Sequence, residues 1–159
     1  MIKKDFSLLC LIDAILAEGM KNADLFIDVS APHLVIKEMA ASMNPGAVVF
    51  PMANPEPEIT YQEAKEAGAY IIGTGRSDFP NQINNLLVFP GLFRGALDAK
   101  ATKITEEMQI AVARGLASLI DERDLNPDHI IVSPFDERVV PTVAKAVGEE
   151  AIKQGVVRK

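Results

Sequence analysis

A chain of 159 residues with 48% hydrophobic and 24% charged side chains can build one domain with a real core, which excludes disorder over most of its length. Its 22 acidic and 16 basic residues give a net charge of −6, which argues against a nucleic-acid-binding surface, since phosphate contacts need clustered Lys and Arg. One cysteine, Cys10, excludes an internal disulfide or a cysteine-rich zinc site, and no apolar run approaches the roughly 18 residues of a membrane span.

Residues 2–18 show helical spacing, with Phe6, Leu9, Ile12, Ile15 and Leu16 near one face and Gly19 as a stop. Cys10 falls inside that pattern as a small buried hydrophobe. Lys3 and Lys4 are followed by Asp5, and no small-residue cleavage pattern ends the apolar stretch. The reading is a cytoplasmic chain without a signal peptide. Leu25-Phe26-Ile27 and Val29-Ser30 form a first strand. Pro32 then opens a helix over about 33–42, with His33 exposed in its first turn, and Asn44-Pro45-Gly46 closes it.

Ala47-Val48-Val49-Phe50 is a second strand, a continuous apolar run of the parallel-sheet type. A proline-stiffened loop, Met52 to Ile59, follows it. Thr60-x-x-Glu63 is a capping box whose helix runs to Ala67, with Gly68 as its stop. Tyr70-Ile71-Ile72 is the third strand. The alternation of helix and strand predicts an α/β fold. It is a partial Rossmann-like parallel sheet of about three strands with flanking helices, continuing into a helical C-terminal segment. Helices are expected over Leu92–Ala99, from a cap at Thr105 to about Ile120, and over Val139–Gln154 with Gly155 as stop. Ile130-Ile131-Val132 reads as a short extended piece, and His129 as a loop or edge residue.

Function concentrates in two polar loops, Asn54 to Glu58 and Thr74 to Asn85. Both follow strands of a parallel sheet, so both sit at its carboxyl edge, where open α/β sheets bind ligands. That puts Asn54, Asn84 and Asn85 on one rim. An asparagine amide offers a donor and an acceptor without charge. It suits a nicotinamide carboxamide, a ribose hydroxyl or a substrate carboxylate, or it simply ties down the loop. Arg76 and Asp78 are two apart and read equally as a clamp or as substrate contacts. Glu56 and Glu58 look like an acid–base pair but fit a solvated loop face or helix entry better. No Ser-His-Asp or Cys-His arrangement and no Gly-x-Gly-x-x-Gly turn occurs.

Three stretches carry a family resemblance: Ala53-Asn54-Pro55-Glu56-Pro57-Glu58-Ile59, Thr74 to Asn85, and Phe89-Pro90-Gly91-Leu92-Phe93-Arg94-Gly95-Ala96-Leu97-Asp98. Together with Pro134-Phe135-Asp136-x-Arg138-Val139 they resemble the prokaryotic-type malic enzymes, from about Ala23 onward. The resemblance implies oxidation of L-malate with NAD or NADP and decarboxylation to pyruvate and CO2, assisted by Mg2+ or Mn2+. It implies a homodimer when complete, and the charge balance and the short apolar runs predict neither nucleic acid nor membrane as partner. Carried over by motif, Asn54 contacts cofactor or substrate near the nicotinamide. Asn84 and Asn85 hold the nicotinamide side and the malate carboxylate, and Ser30 lies where the sheet edge meets the cofactor.

The family's catalytic lysine and tyrosine, its metal ligands and its dinucleotide turn belong to sequence upstream of the matched part. Residues 1–159 are therefore expected to be the C-terminal part of the NAD(P)-binding domain, without the N-terminal catalytic domain and inactive alone. A split enzyme, a non-enzymatic remnant and a malolactic-type enzyme are the alternatives. One departure stands out: Asp28-Val29-Ser30 replaces the family's usual Gly-Val-Ser.

Overall fold

The computed structural model describes residues 15–158. The predicted helix over 2–18 and Cys10 fall largely outside that range. Its described end, helix α1 (Leu16–Met20), runs through Gly19 rather than stopping there. Strands β1 (Leu25–Asp28), β2 (Val48–Pro51) and β3 (Ile71–Ile72) form a parallel sheet in the order β1-β2-β3. Helices α2 (Lys37–Ala41) and α3 (Tyr61–Glu66) are the two crossovers. Strand order advances in one direction, so crossovers of one hand lay both helices on the same face. Phe26, Val49 and Ile72 are in register and bury that face with Ala40, Ile59 and Ala64. The opposite face carries Leu25 and Ile27, 44% and 56% exposed.

The predicted helix over 33–42 is shorter than expected. Residues 33–36 are not helical because the backbone N–H groups of His33 and Val35 donate to the carbonyls of Pro57 and Glu58. Pro32 thus introduces a tethered turn, not a first helical residue, and His33, although exposed, has φ +57°. The box at Thr60 forms as expected: its Oγ1 accepts from the Glu63 N–H, and the Glu63 carboxylate accepts from the Thr60 N–H.

Beyond β3 the chain builds a second core. Helices α4 (Phe89–Asp98), α5 (Glu106–Ala117) and α6 (Val139–Lys153) pack around Leu92, Met108, Val112, Val139, Val143 and Val147. Helix α4 begins three residues before the predicted start, with Pro90 in its first turn where its missing N–H costs nothing. Helix α5 ends at Ala117, short of Ile120, where the Ser118 hydroxyl donates to the Gly115 carbonyl. Ile130–Val132 is not a strand. The Ile130 N–H is taken by the Asn81 side chain instead of a neighbouring strand.

Helices α4 and α6 approach so closely that a methyl group at Gly91 would come within 2.6 Å of Val143 Cβ, and one at Gly95 would collide with the Ala144 carbonyl. Gly95→Ala therefore lowers stability by about 1–3 kcal/mol, read as a lower urea midpoint. Gly115→Ala, whose methyl would meet Thr142 only at 3.4 Å, leaves the midpoint unchanged or raises it. An unchanged midpoint for Gly95→Ala contradicts the close crossing.

Candidate functional site

The carboxyl edge of the sheet is organised by Glu58. Its side chain is fully buried, with Oε1 accepting from the Ser30 N–H and Oε2 from the Ala53 N–H, each at 3.0 Å. One carboxylate thereby joins the chain leaving β1 to the chain leaving β2. The sequence favoured a solvated loop face or helix entry for Glu58, and the structure corrects that reading. The loop turns inward partway along: Asn54, Pro55 and Glu56 are exposed, and Pro57, Glu58 and Ile59 are buried in succession. A buried carboxylate is tolerated only when its oxygens find donors, and these two backbone N–H groups supply them.

The rim residues divide into free and engaged groups. Asn54 and Asn85 are exposed, and their amides make no hydrogen bond among the described residues. The Ser30 hydroxyl is likewise exposed and unbonded, although its N–H is held by Glu58. Asn84 is engaged. Its Oδ1 accepts from the Leu86 N–H at 3.0 Å, capping the short 3-10 turn Asn85–Leu87, and its Nδ2 donates to the Gly75 carbonyl at 3.4 Å. One amide hydrogen and one lone pair remain to it. Glu58 brings Ser30 and the neighbour of Asn54 together, and Asn84 ties the Asn84–Asn85 pair back to the loop after β3.

Arg76 and Asp78 form the clamp that their spacing allowed. Two bonds, from Nε at 2.9 Å and Nη2 at 2.8 Å, reach the carboxylate. The Arg76 bonds hold the Asp78 carboxyl below its usual value, and the same bonds raise Arg76. Both side chains are largely exposed, at 41% and 53%, so the pair shapes the loop more than it stabilises the fold. A small hollow of about 190 Å³ lies between the two loops, lined by Glu56, Thr60, Tyr61, Thr74, Arg76 and Phe79, with Tyr61 and Phe79 stacked at 4.8 Å. Larger hollows lie on the helical unit: one of about 470 Å³ sits between α5 and α6 beside Arg114 and Glu150. In the late motif, bonds from the Arg138 side chain and then its backbone N–H depress the Asp136 carboxyl to about 2. That pair is a turn leading into α6.

The family model described as malic enzyme, NAD binding domain, matches residues 29–154. The chain belongs to the malic enzyme family. It is 53% identical over 146 residues to the bifunctional malic/malolactic enzyme of Bacillus subtilis (strain 168), covering 92% of this chain and 36% of that protein. It is 49% identical over 144 residues to the NAD-dependent malic enzyme of Geobacillus stearothermophilus, covering 91% of this chain and 30% of that one. The crystal structure of malic enzyme from Pyrococcus horikoshii Ot3 superposes with a TM-score of 0.84 at 49% identity, over 91% of this chain and 33% of that one. The chain thus spans about a third of the length of these relatives.

Of the two residues that hold the rim together, the sequence offered Glu58 only as half of an acid–base pair or as a loop or helix-entry residue, and did not single out Asn81. For Glu58 the available signal was its place between the apolar Pro57 and Ile59, both of which the structure buries. Asn81, at φ +55° and 6% exposed, was overlooked beside the adjacent pair at 84 and 85. Replacing Glu58 with Gln turns one acceptor into a donor facing a backbone N–H. Glu58→Gln lowers stability by about 2 kcal/mol or more, measured by urea unfolding. A midpoint unchanged from the parent contradicts the buried cross-link.

Proposed function

We propose that this chain forms the nicotinamide- and malate-facing rim of a malic enzyme that oxidises L-malate with NAD or NADP and decarboxylates the product to pyruvate and CO2. The observation that carries this reading is the set of unbonded groups, Asn54, Asn85 and the Ser30 hydroxyl, on the carboxyl edge of a parallel sheet in a member of this family. The Asn54 amide would meet the nicotinamide or the substrate beside it. Asn85, steadied by Asn84, would bond the carboxamide side and a malate carboxylate through its N–H groups. Neutral amides suit this place. They orient a cationic nicotinamide ring without repelling it, and they release a carboxylate product more readily than a charged clamp does.

NAD or NADP supplies the hydride acceptor when bound. The second strand of a complete dinucleotide unit usually sets the choice between them. Among the described residues no three His, Cys, Asp or Glu side chains gather as metal ligands, so no step of the Mg2+- or Mn2+-assisted decarboxylation is assigned to them. The proposal also includes a homodimer acting in the cytoplasm. Among the described residues, no helix is long and apolar enough to cross a membrane. The name of the Bacillus subtilis relative adds a second reading, in which the same rim serves a malolactic reaction. A non-enzymatic interaction module is the third, and it has no need of nicotinamide affinity.

Titration with oxidised nicotinamide mononucleotide, followed by nuclear magnetic resonance, tests the proposal. Side-chain amide resonances of Asn54 and Asn85 shift, and Asn54→Ala or Asn85→Ala each weakens binding about tenfold, the worth of one hydrogen bond. Absence of nicotinamide-dependent shifts at these residues contradicts it.

A further inference from the structure

Beyond the residues that face the ligand, one buried side chain controls where they sit. We propose that Asn81 is a positioning residue for the asparagine pair, setting the register of residues 81–84 against the end of β3. This rests on the reading of Asn84 and Asn85 as nicotinamide- and malate-facing groups.

Three of its side-chain bonds cross between separate parts of the molecule. Nδ2 donates to the Ile72 carbonyl at 2.9 Å and to the Pro127 carbonyl at 2.7 Å, and Oδ1 accepts from the Ile130 N–H at 2.9 Å. The first bond fastens the loop to the last residue of β3. The other two fasten the same point to the segment between α5 and α6. The Tyr61 hydroxyl, donating to Asp128 at 3.4 Å, adds a longer bond from α3 to that same segment.

Downstream of Asn81 the chain lies alongside the continuation of β3 in fixed steps. Gln82 bridges in parallel to Thr74, the Ile83 N–H donates to the Thr74 carbonyl at 2.8 Å, and the Asn84 amide reaches the Gly75 carbonyl. The approach is close enough that a methyl group at Gly73 would meet Ile83 Cδ1 at 2.7 Å. Shifting this pairing by one residue would move the Asn84 amide off Gly75 and turn Asn85 elsewhere. The Asn81 anchor opposes that slip, because an unpaired buried carbonyl at Ile72 would follow. Its φ of +55° is a second, separable requirement, and asparagine tolerates that region better than most residues.

Two substitutions separate these roles. Asn81→Asp keeps an oxygen for the Ile130 N–H but turns the Nδ2 donor into an acceptor facing two carbonyls. Asn81→Gly accommodates the positive φ and removes all three side-chain bonds. In both variants, amide exchange at Ile83 and Leu86 accelerates about tenfold, while Ser30 and Ala53, held by Glu58, exchange at the parent rate. Nicotinamide mononucleotide affinity falls about tenfold in both.

Unchanged exchange at Ile83 and Leu86 overturns the inference. So does uniform acceleration that includes Ser30 and Ala53, which would mark a general loss of stability. Accelerated exchange with unaltered nucleotide affinity also overturns it. If the parent chain binds no nucleotide, the proposed function fails on its own, and the exchange pattern alone then decides whether Asn81 holds the pair.

Discussion

The carboxylate of Glu58 is the constraint on which the rim depends. Strands of a parallel sheet end at one edge, but the chains leaving them are free to diverge. Glu58 prevents this for β1 and β2 by accepting one N–H from each departing chain. Its own carbonyl takes the Val35 N–H, so the return path toward α2 is fixed as well. A lysine or arginine counter-charge would fill space at this edge. Backbone donors satisfy the carboxylate without occupying it.

Asn81 makes the corresponding link at β3. The two residues act on different joints: Glu58 within the sheet, Asn81 between the sheet and the helical unit. The described residues form two hydrophobic clusters, one around Phe26, Val49 and Ile72 and one around Met108, Val143 and Val147. The Thr74–Asn85 loop passes from one to the other. Phe79 packs against the first cluster and Leu87 enters the second, and between them Asn81 and Asn84 fix the course of the loop by side-chain hydrogen bonds.

The strands, the capping box at Thr60 and the three C-terminal helices were legible because each rests on local pattern. Apolar runs, a Thr-x-x-Glu spacing and a helical stripe need only near neighbours in sequence. The segment 33–36 was misread because its conformation is set by Pro57 and Glu58, more than twenty residues away in the chain. Ile130–Val132 failed as an extended piece for the same reason, since its partner is a side chain from position 81. Of the candidate site, the position of Asn54 and Asn85 on polar loops after strands was legible, and both side chains are exposed. The part that was not legible is the support beneath them. Burial of a glutamate or an asparagine is decided by tertiary contacts that residue type alone does not reveal.

The most direct measurement is the set of intermolecular nuclear Overhauser contacts between the nicotinamide ring protons of the oxidised mononucleotide and this chain. Contacts to the side-chain amide protons of Asn54 and Asn85 are expected. Contacts confined to the hollow between α5 and α6, beside Arg114 and Glu150, would contradict the proposed rim.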